Sequence, residues 1–287
     1  MENVSYVSEK ILKEVYHERK EWCHKYDFGS LLVIGGSKIY SGSPTFNALA
    51  AYRAGVDLVT VVAPRRAADI VASFKPDLIT YPLDCDFFTR NNLKEVLELT
   101  KNKTAVVIGG GMTRREEVLD FILEFLKEVD IPCVIDADAI HAVAKNLEIL
   151  EGKKFILTPH SYEFFVLSGK KVSDNLEERI SFVKEFCQRY KTTVLLKGHV
   201  DVICDDREIY LNKTGSKAMT KGGLGDTLAG IAGAILARGV TPVKTACAAA
   251  YINGLAGELA AKKYSEGIMA SDLIEEIPNV IKRVRKY

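Results

Sequence analysis

Short runs of β-branched and aliphatic residues alternate along this chain with longer segments in which apolar residues recur at helical spacing. Such alternation is typical of a mostly parallel sheet, because each parallel connection needs a crossover and both sheet faces are then buried. The seven runs that predict strands are Leu31–Ile34, Leu58–Val62, Leu78–Tyr81, Thr104–Ile108, Cys133–Ile135, Phe155–Leu157 and Thr193–Leu196. The pattern predicts a single α/β domain over residues 1–287, with helices on both faces of a central sheet.

A hairpin is predicted at one edge of this sheet. Val200–Cys204 and Ile209–Asn212 flank the acidic turn Asp205-Asp206, so the sheet is expected to be mostly parallel with an antiparallel edge. Residues 1–28, which precede the first predicted strand, are expected to form a helical extension.

The predicted helices have recognisable ends. Ser43-Pro44 predicts an N-cap followed by proline at the first helical position, and Gly55 predicts the end of that helix. Thr241-Pro242 predicts a second start of the same kind. A loop from residue 212 to 223 precedes a small-residue helix predicted over 226–238, and 271–287 is predicted as a basic amphipathic helix.

Composition narrows the class of function. Of the 287 residues, 47% are hydrophobic and 27% charged, and the net charge is +1, which excludes disorder and disfavours a nucleic-acid surface. The six cysteines form no C-x-x-C pair and are expected to be reduced core residues. We find neither an apolar run of membrane-spanning length nor a secretory signal, so a small-molecule enzyme of the cytoplasm is expected.

A glycine-rich turn before the predicted helix at 226 carries the strongest chemical signal. Gly222, Gly223 and Gly225 leave backbone N–H groups free to converge on one point, where the helix N-terminus adds partial positive charge. An anion is therefore expected there. A carboxylate beside an anion is unfavourable unless it is used, and Asp226 would serve as a base toward an attacking hydroxyl. The alternative is that Asp226 only caps the helix.

Two more glycine turns follow predicted strands, at Gly35-Gly36-Ser37 and at Gly109-Gly110-Gly111. Ligands of open α/β sheets bind at the carboxyl ends of the strands, so all three turns are expected at one ligand-binding edge. The chain contains neither a Walker A string nor a Gly-x-Ser-x-Gly elbow, which argues against a P-loop NTPase and a serine hydrolase.

Polar side chains follow three other predicted strands. Asp136 comes after one strand, and His160 and Glu163 come after the next, three residues apart at a helix start, where they share a face. They could hold a substrate or, through water, Mg²⁺, with Glu163 as the candidate metal ligand. Lys197-Gly198-His199 offers a cation to a nucleotide. Each of these side chains also has a simpler interpretation that involves no ligand. Asp136 would be a helix cap, His160 a structural histidine and Lys197 a solvated lysine.

With these residues in place, the sequence resembles the ADP/ATP-dependent NAD(P)H-hydrate dehydratase family, a branch of the ribokinase-like superfamily. The resemblance extends from about residue 26 to the end, and a histidine in Thr-Pro-His-x-x-Glu separates this branch from sugar and vitamin kinases. The motifs that carry it, in order, are Tyr26–Gly29, Leu32–Ser37, Tyr40–Pro44, Arg53–Val61, Asp136–Ala139, Leu157–His160, Leu196–Gly198, Asn212–Gly215 and Gly222–Asp226.

The resemblance implies a three-layer α/β/α ribokinase-like fold and a repair reaction. A nucleotide, ADP or ATP with Mg²⁺, phosphorylates the hydroxyl of hydrated NADH or NADPH, and loss of phosphate then restores the dihydronicotinamide. It also implies a homotetramer, and we expect a dehydratase domain without the epimerase domain that is often fused ahead of it.

The resemblance also implies roles for individual residues. Asp226 would be the catalytic base, set in the anion hole of Gly223, Leu224 and Gly225. The residues implied to contact hydrated nicotinamide are Ser43, Gly111, His160 and Asp226. Those implied to contact the adenine nucleotide are Lys197, Gly198, His199, Val200, Asp201 and Gly225.

The chain departs from the usual family pattern at several of these positions. The family usually has alanine at Ser43, proline at Gly110, Pro-Gly at Ser161-Tyr162, threonine at Asp201 and serine at Leu224. Asp201 bears on nucleotide recognition, because an acid near a phosphate is unfavourable unless it meets a ribose hydroxyl or Mg²⁺. Two alternative functions stay open: a small-molecule kinase of the same fold, for a vitamin precursor or a sugar, and a nucleotide-sensing protein without turnover.

Overall fold

The computed structural model describes residues 4–284, and within them ten strands form one sheet. The strands are β1 (Val4–Tyr6), β2 (Ser30–Ile34), β3 (Leu58–Pro64), β4 (Ile79–Leu83), β5 (Ala105–Ile108), β6 (Cys133–Ile135), β7 (Phe155–Leu157), β8 (Thr193–Leu196), β9 (Asp201–Cys204) and β10 (Ile209–Asn212). Their order across the sheet is β1-β10-β9-β8-β7-β6-β5-β2-β3-β4. All seven predicted runs and the predicted hairpin lie on strands, with ends shifted by at most two residues.

Neighbouring strands from β8 to β4 across the sheet run parallel. The hairpin of β9 and β10 is antiparallel, and β9 is also antiparallel to β8. The predicted mostly parallel sheet with an antiparallel edge is therefore confirmed. Because the carboxyl ends of parallel strands meet at one edge, the turns that follow β2, β5, β6, β7 and β8 are neighbours.

The helices cover both faces of the sheet. They are α1 (Lys10–Val15), α2 (Gly42–Arg53), α3 (Arg65–Phe74), α4 (Leu93–Glu98), α5 (Glu116–Glu128), α6 (Asp138–Val143), α7 (Ser161–Ser168), α8 (Leu176–Tyr190), α9 (Leu224–Ala237), α10 (Pro242–Tyr264) and α11 (Ala270–Ile281). Alternate strand residues face opposite cores: Leu31 and Val33 pack with α2, α3, α9, α10 and α11, whereas Leu32 and Ile34 pack with α5 to α8. The three-layer α/β/α prediction is confirmed.

The N-terminal extension differs from the prediction of a helical segment over 1–28. Its described part contains the strand β1, which pairs in parallel with β10, and only one short helix, α1. A three-residue strand is too short to show a period in the sequence, and its partner lies about 200 residues away, so only tertiary pairing reveals it.

Helix starts near the predicted site are shifted by one or two residues. Ser43 is not the N-cap of α2, because the helix begins at Gly42 and Ser43 lies within its first turn. Helix α9 begins at Leu224, so Asp226 lies within its first turn and Gly223 takes the cap position. Helix α10 begins at Pro242, as predicted. The C-terminal helix ends at Ile281, and residues 285–287 of that prediction lie outside the described residues.

Small residues allow α9 to lie unusually close to its neighbours. A Cβ atom added at Gly230 would lie 2.3 Å from the Asn47 carbonyl oxygen of α2, and one added at Gly233 would lie 2.3 Å from a methyl group of Val107 on β5. The close approach holds the N-terminus of α9 beside the turn that follows β5. The Asp226 side chain, in the first turn of α9, is thereby held beside the same turn.

In residues 4–284 no helix has the length and apolar character needed to cross a membrane. All six cysteines are free, and four of them, Cys133, Cys187, Cys204 and Cys247, are buried as predicted, whereas Cys23 and Cys85 are partly exposed and lie outside the predicted core.

Candidate active site at the carboxyl edge of the sheet

Asp226 lies partly buried in the first turn of α9, directly against α2 and the β5 turn. The Ser43 hydroxyl hydrogen-bonds to its carboxylate, and the Asn47 side-chain amide donates to its carbonyl oxygen at 2.7 Å. Gly110 faces the same carboxylate, since a Cβ atom added there would lie 3.0 Å from Asp226 Oδ1 and 2.9 Å from Ser43 Cβ. Ser43, Gly110 and Asp226 therefore form the centre of the site.

The turns after β2 and β5 are joined to each other at this centre. The Gly36 N–H donates to the Gly110 carbonyl at 2.8 Å, and Gly111 has a positive φ of 69°. A Cβ atom added at Gly35 would lie 2.7 Å from the Gly110 carbonyl oxygen, which leaves no room for a larger residue. The structure thus brings together the glycine turns that sequence patterns placed at one edge.

The turn at the start of α9 requires glycine at its cap. Gly223 has a φ of 90°, and a Cβ atom there would lie 2.9 Å from both Ala270 and the ring of Phe46. The Leu224 side chain is buried, so only its backbone N–H is available to a ligand. The first N–H groups of a helix lack intrahelical partners and attract anions. This geometry supports the predicted anion hole.

A buried ion pair lies beside the turn. Lys197 Nζ is 3.1 Å from Asp136 Oδ1 and 3.8 Å from Glu163 Oε2, and only 22% of the lysine side chain is exposed. The Thr158 hydroxyl donates to Asp136 at 2.7 Å. Asp136 does not cap the following helix, and Lys197 is not a solvated lysine, so neither plain alternative describes them.

The electrostatics of this cluster converge on Asp226. Burial, and after it the charge of Asp136, raise the pKa of Asp226 to about 7, although the Ser43 hydrogen bond and the charge of Lys197 oppose the rise. Burial alone would lower the pKa of Lys197, but the carboxylates of Asp136 and Glu163 raise it above its ordinary value. A carboxylate with a pKa near 7 is well matched to accept a proton at neutral pH.

His160 has a structural role in addition to facing this edge. It is the N-cap of α7: its Nδ1 accepts from the Tyr162 and Glu163 N–H groups at 3.2 Å, and Glu163 accepts from the His160 N–H at 2.9 Å. Because Nδ1 is an acceptor, the ring proton of neutral His160 lies on Nε2. Burial and then Lys197 lower the pKa of His160, which favours the neutral ring. The structural alternative therefore holds for Nδ1, while Nε2 lies 3.5 Å from Glu163 Oε1.

Glu163, the candidate metal ligand, is buried, and its oxygens face His160 and Lys197. Burial raises its pKa to about 7. Residues 4–284 contain no group of three or more His, Cys, Asp or Glu side chains that could hold a metal ion. The described residues thus offer no protein cage for Mg²⁺, an ion that proteins commonly hold through one or two carboxylates together with substrate phosphates.

The predicted nucleotide loop after β8 is closed by Asp201. One Asp201 oxygen accepts from the Gly198 N–H and the other from the Asn212 amide, both at 3.0 Å. Burial raises the pKa of Asp201 to about 6. The carboxylate is thus engaged by the loop itself. Gly198 and His199 are exposed at the edge.

Arg179 on α8 supports the same loop and was missed by sequence reasoning. Its guanidinium donates to the Lys197 carbonyl at 2.9 Å and to the Ser161 hydroxyl at 3.1 Å, and the residue is buried. A Cβ atom added at Gly198 would lie 2.5 Å from Arg179 Nη2. Nothing in the helical pattern of α8 marks this arginine, because its partners come from two other segments.

Comparisons with known proteins identify the family of this chain. A family profile described as NAD(P)H-hydrate dehydratase matches residues 31–279. The ADP-dependent (S)-NAD(P)H-hydrate dehydratase of Cenarchaeum symbiosum is 37% identical over 278 residues, which is 96% of either chain. The bifunctional NAD(P)H-hydrate repair enzyme of Methanothermobacter thermautotrophicus is 38% identical over 92% of this chain. The chain spans about half the length of such bifunctional relatives (51% and 52%).

Two solved structures superpose on nearly the whole chain. The ADP/ATP-dependent NAD(P)H-hydrate dehydratase of Bacillus subtilis, co-crystallised with ATP and Mg²⁺, has a TM-score of 0.83 at 26% identity and covers 99% of both chains. A ribokinase-like superfamily protein of Enterococcus faecalis has a TM-score of 0.86 at 23% identity, covering 99% of this chain and 97% of its own. The ribokinase-like fold is confirmed, and the chain belongs to the NAD(P)H-hydrate dehydratase family.

Proposed function

We propose that this chain dehydrates hydrated NADH or NADPH at the expense of ADP or ATP and thereby repairs the cofactor. The observation that carries the proposal is Asp226, a partly buried carboxylate whose pKa is raised to about 7, at the N-terminal turn of α9. A base at an anion-binding turn is the pairing that phosphoryl transfer to a hydroxyl requires. Membership of the dehydratase family supports the identity of the substrate.

In the proposed reaction, the Asp226 carboxylate takes the proton of the substrate hydroxyl. The hydroxyl oxygen then attacks the terminal phosphorus of the nucleotide, and the bond to the bridging oxygen breaks, leaving AMP from ADP or ADP from ATP. Backbone N–H groups at Gly223, Leu224 and Gly225 stabilise the charge on the transferred group. The substrate's original carbon–oxygen bond, now part of a phosphate ester, then breaks and releases inorganic phosphate, and loss of a proton from the neighbouring carbon restores the double bond.

The substrate and the nucleotide would approach Asp226 from different strands. Ser43, Gly111 and His160 line the proposed nicotinamide position. The loop of Lys197, Gly198, His199, Val200 and Asp201, together with Gly225, forms the proposed nucleotide position. Lys197 would contribute positive charge from the inner side of the loop. Its ammonium group pairs with Asp136 and lies close to Gly225, since a Cβ atom added at Gly225 would be 3.5 Å from Lys197 Nζ.

Mg²⁺ would supply charge neutralisation on the nucleotide phosphates. The B. subtilis relative was crystallised with ATP and Mg²⁺. Since the described residues form no metal cluster of their own, we propose that the ion arrives with the nucleotide, and Glu163 stays a proposed contact through water.

The test is an assay of the purified chain with hydrated NADH or hydrated NADPH and a nucleotide. The Cenarchaeum relative is named ADP-dependent, so ADP is the first donor and ATP the second. We expect recovery of dihydronicotinamide absorbance at substoichiometric enzyme, with one inorganic phosphate per molecule repaired. Absence of recovery with both nucleotides and both hydrates would refute the proposal.

The same assay separates the two alternatives. A small-molecule kinase of this fold would accumulate a stable phosphorylated product without releasing inorganic phosphate. A nucleotide sensor would bind nucleotide without consuming it. The homotetramer and the cytoplasmic location stay predictions, and sedimentation equilibrium tests the first.

A further inference from the structure

A second polar cleft lies along the same sheet edge, beyond the turn after β2. Its volume is about 740 Å³, and its polar lining consists of Arg65 and Arg66 at the start of α3 together with Asp69, Asp84 and Asp86. None of these residues belongs to the site described above.

The cleft neighbours the catalytic centre along the sheet edge. A Cβ atom added at Gly111 would lie 3.6 Å from Gly36 Cα, and one added at Gly36 would lie 3.1 Å from Ala67 Cβ. Ala67 directly follows Arg66. Between β5 and the β3–β4 end of the sheet there are two to three strand spacings, or about 10–14 Å. An elongated ligand held at Gly111 can therefore reach the arginines.

The strand order places the proposed positions of the two ligands on opposite sides of the catalytic centre, with the dinucleotide substrate on the side of β2, β3 and β4. The proposed nucleotide loop follows β8, on one side of the centre at β5 and β6, whereas β2, β3 and β4 lie on the other side. A hydrated dinucleotide with its nicotinamide ring at Asp226 must extend its pyrophosphate and adenosine away from the second nucleotide. The proposed nucleotide position leaves the carboxyl edge at β2, β3 and β4 unoccupied.

Arg65 and Arg66 both have guanidinium N–H groups available to a ligand. Arg66 donates from Nη1 to the Lys38 carbonyl at 2.9 Å, and no carboxylate of the described residues lies within 4.0 Å of its guanidinium. Among the described carboxylates, Arg65 pairs only with Asp84, at 3.5 Å, where 56% and 94% of the two side chains are exposed, so this pair is weak and exchangeable. Asp86 is already paired with Lys38 at 2.6 Å. Guanidinium groups match phosphate oxygens in paired hydrogen bonds.

We propose that Arg65 and Arg66 bind a phosphate in the adenosine half of the hydrated dinucleotide, in the cleft at the carboxyl ends of β3 and β4. The inference rests on the proposed function. The exposed carboxylates of Asp69 and Asp84 would accept hydrogen bonds from ribose hydroxyls.

Truncation of the substrate tests the proposal. Arg66→Ala and Arg65→Ala are compared with wild type on hydrated NADPH, hydrated NADH and the hydrate of reduced nicotinamide mononucleotide, which lacks the adenosine half. Loss of a charged phosphate contact should raise the KM of the dinucleotides about tenfold, or about 1.4 kcal/mol. The KM for ADP and all constants for the mononucleotide should stay unchanged. Arg189→Ala, an exposed arginine on α8, is the control and should match wild type.

The relative effects on the three substrates identify which phosphate is bound. They also show which results would overturn the proposal. A larger effect on hydrated NADPH than on hydrated NADH assigns the ribose phosphate, and equal effects assign the pyrophosphate. An equal loss on the mononucleotide would show that Arg66 only supports the loop at Lys38, and no loss on any substrate would also overturn the proposal.

A binding experiment keeps this inference separate from the proposed reaction. Calorimetric titration with NADP⁺ and with nicotinamide mononucleotide needs no turnover. If Arg66→Ala weakens NADP⁺ binding about tenfold and leaves the mononucleotide unchanged, the cleft binds the adenosine half even where the repair assay fails. Unchanged NADP⁺ affinity in both arginine variants would refute it.

Discussion

The ammonium group of Lys197 lies 3.1 Å from the carboxylate of Asp136, 61 residues earlier in the chain. The pair links the ends of β6 and β8 directly beside the first turn of α9. It acts on Asp226 in two opposite ways, because Asp136 raises the pKa of Asp226 and Lys197 lowers it. Burial is the largest cause of the raised pKa of Asp226, and these two charges from other parts of the chain adjust it.

Replacement of Asp226 by asparagine should abolish repair while nucleotide binding survives. Loss of a general base typically costs about 10²–10⁴-fold in rate. Single-turnover recovery of dihydronicotinamide absorbance measures the rate, and calorimetry with ADP measures binding. Asp206→Asn, in the turn between β9 and β10, is the matched control and should keep full activity. Repair within tenfold of wild type in Asp226→Asn would exclude the proposed base.

The acid limb of the pH profile should report Asp226. The group must be deprotonated to act as a base, so kcat/KM should rise with pH and level off above about 7, where the pKa of Asp226 lies. Asp136→Asn removes a charge that raises this pKa and should therefore move the limb to lower pH. The profiles of both proteins between pH 5 and 9 test this, and a shift to higher pH would contradict the assigned electrostatics.

Removal of the Lys197 ammonium group should have the opposite effect on the same limb. Lys197→Met takes away a charge that lowers the pKa of Asp226, so the limb should move to higher pH. It also leaves Asp136 and Glu163 without their cation, at a cost of about 2–4 kcal/mol in the free energy of unfolding. Urea unfolding and the pH profile measure the two effects. Lys145→Met, which breaks only the pair with the exposed Glu116, should change neither by much.

Asp226→Asn should also stabilise the fold at alkaline pH. Asp226 is harder to ionise in the folded chain (pKa about 7) than in the unfolded chain (3.8), so its ionisation lowers stability progressively as pH rises from about 4 to 7. The asparagine variant lacks this loss. We expect it to be more stable by roughly 2–4 kcal/mol at pH 8, with the difference vanishing near pH 4. Urea unfolding at both pH values measures it; equal stability at pH 8 would show that Asp226 is not held in an unfavourable ionised state.

Gly223→Ala should damage the turn, whereas Gly222→Ala should not. Gly223 has a φ of 90° and no space for a Cβ atom, while a Cβ atom at Gly222 meets nothing within 4 Å. The strained backbone alone costs about 1–2 kcal/mol, and the contacts with Phe46 and Ala270 add to it. Thermal unfolding and the KM for ADP should both worsen in the first variant. Similar values for the two variants would mean that the turn is not rigid.

Strand positions and the ligand-binding edge were predictable from the sequence because their signals are local. Cys133–Ile135 and Phe155–Leu157 have the same bounds in prediction and structure, since buried parallel strands are short apolar runs ended by turns. Gly223 and the glycines at 109–111 stand out for the same reason, because each needs a positive φ or leaves no space for a Cβ atom.

Only the tertiary structure decided how the side chains at that edge are paired. β1 depends on a partner strand about 200 residues away, and Arg179 depends on a loop and a helix that its own helix meets after folding. The same holds for Lys197, whose pattern suggests a lysine open to nucleotide but whose ammonium group turns inward to Asp136. The sequence therefore determined where the chemistry lies, whereas burial and long-range charge pairs, which exist only in the folded chain, decided the protonation of Asp226 and its neighbours.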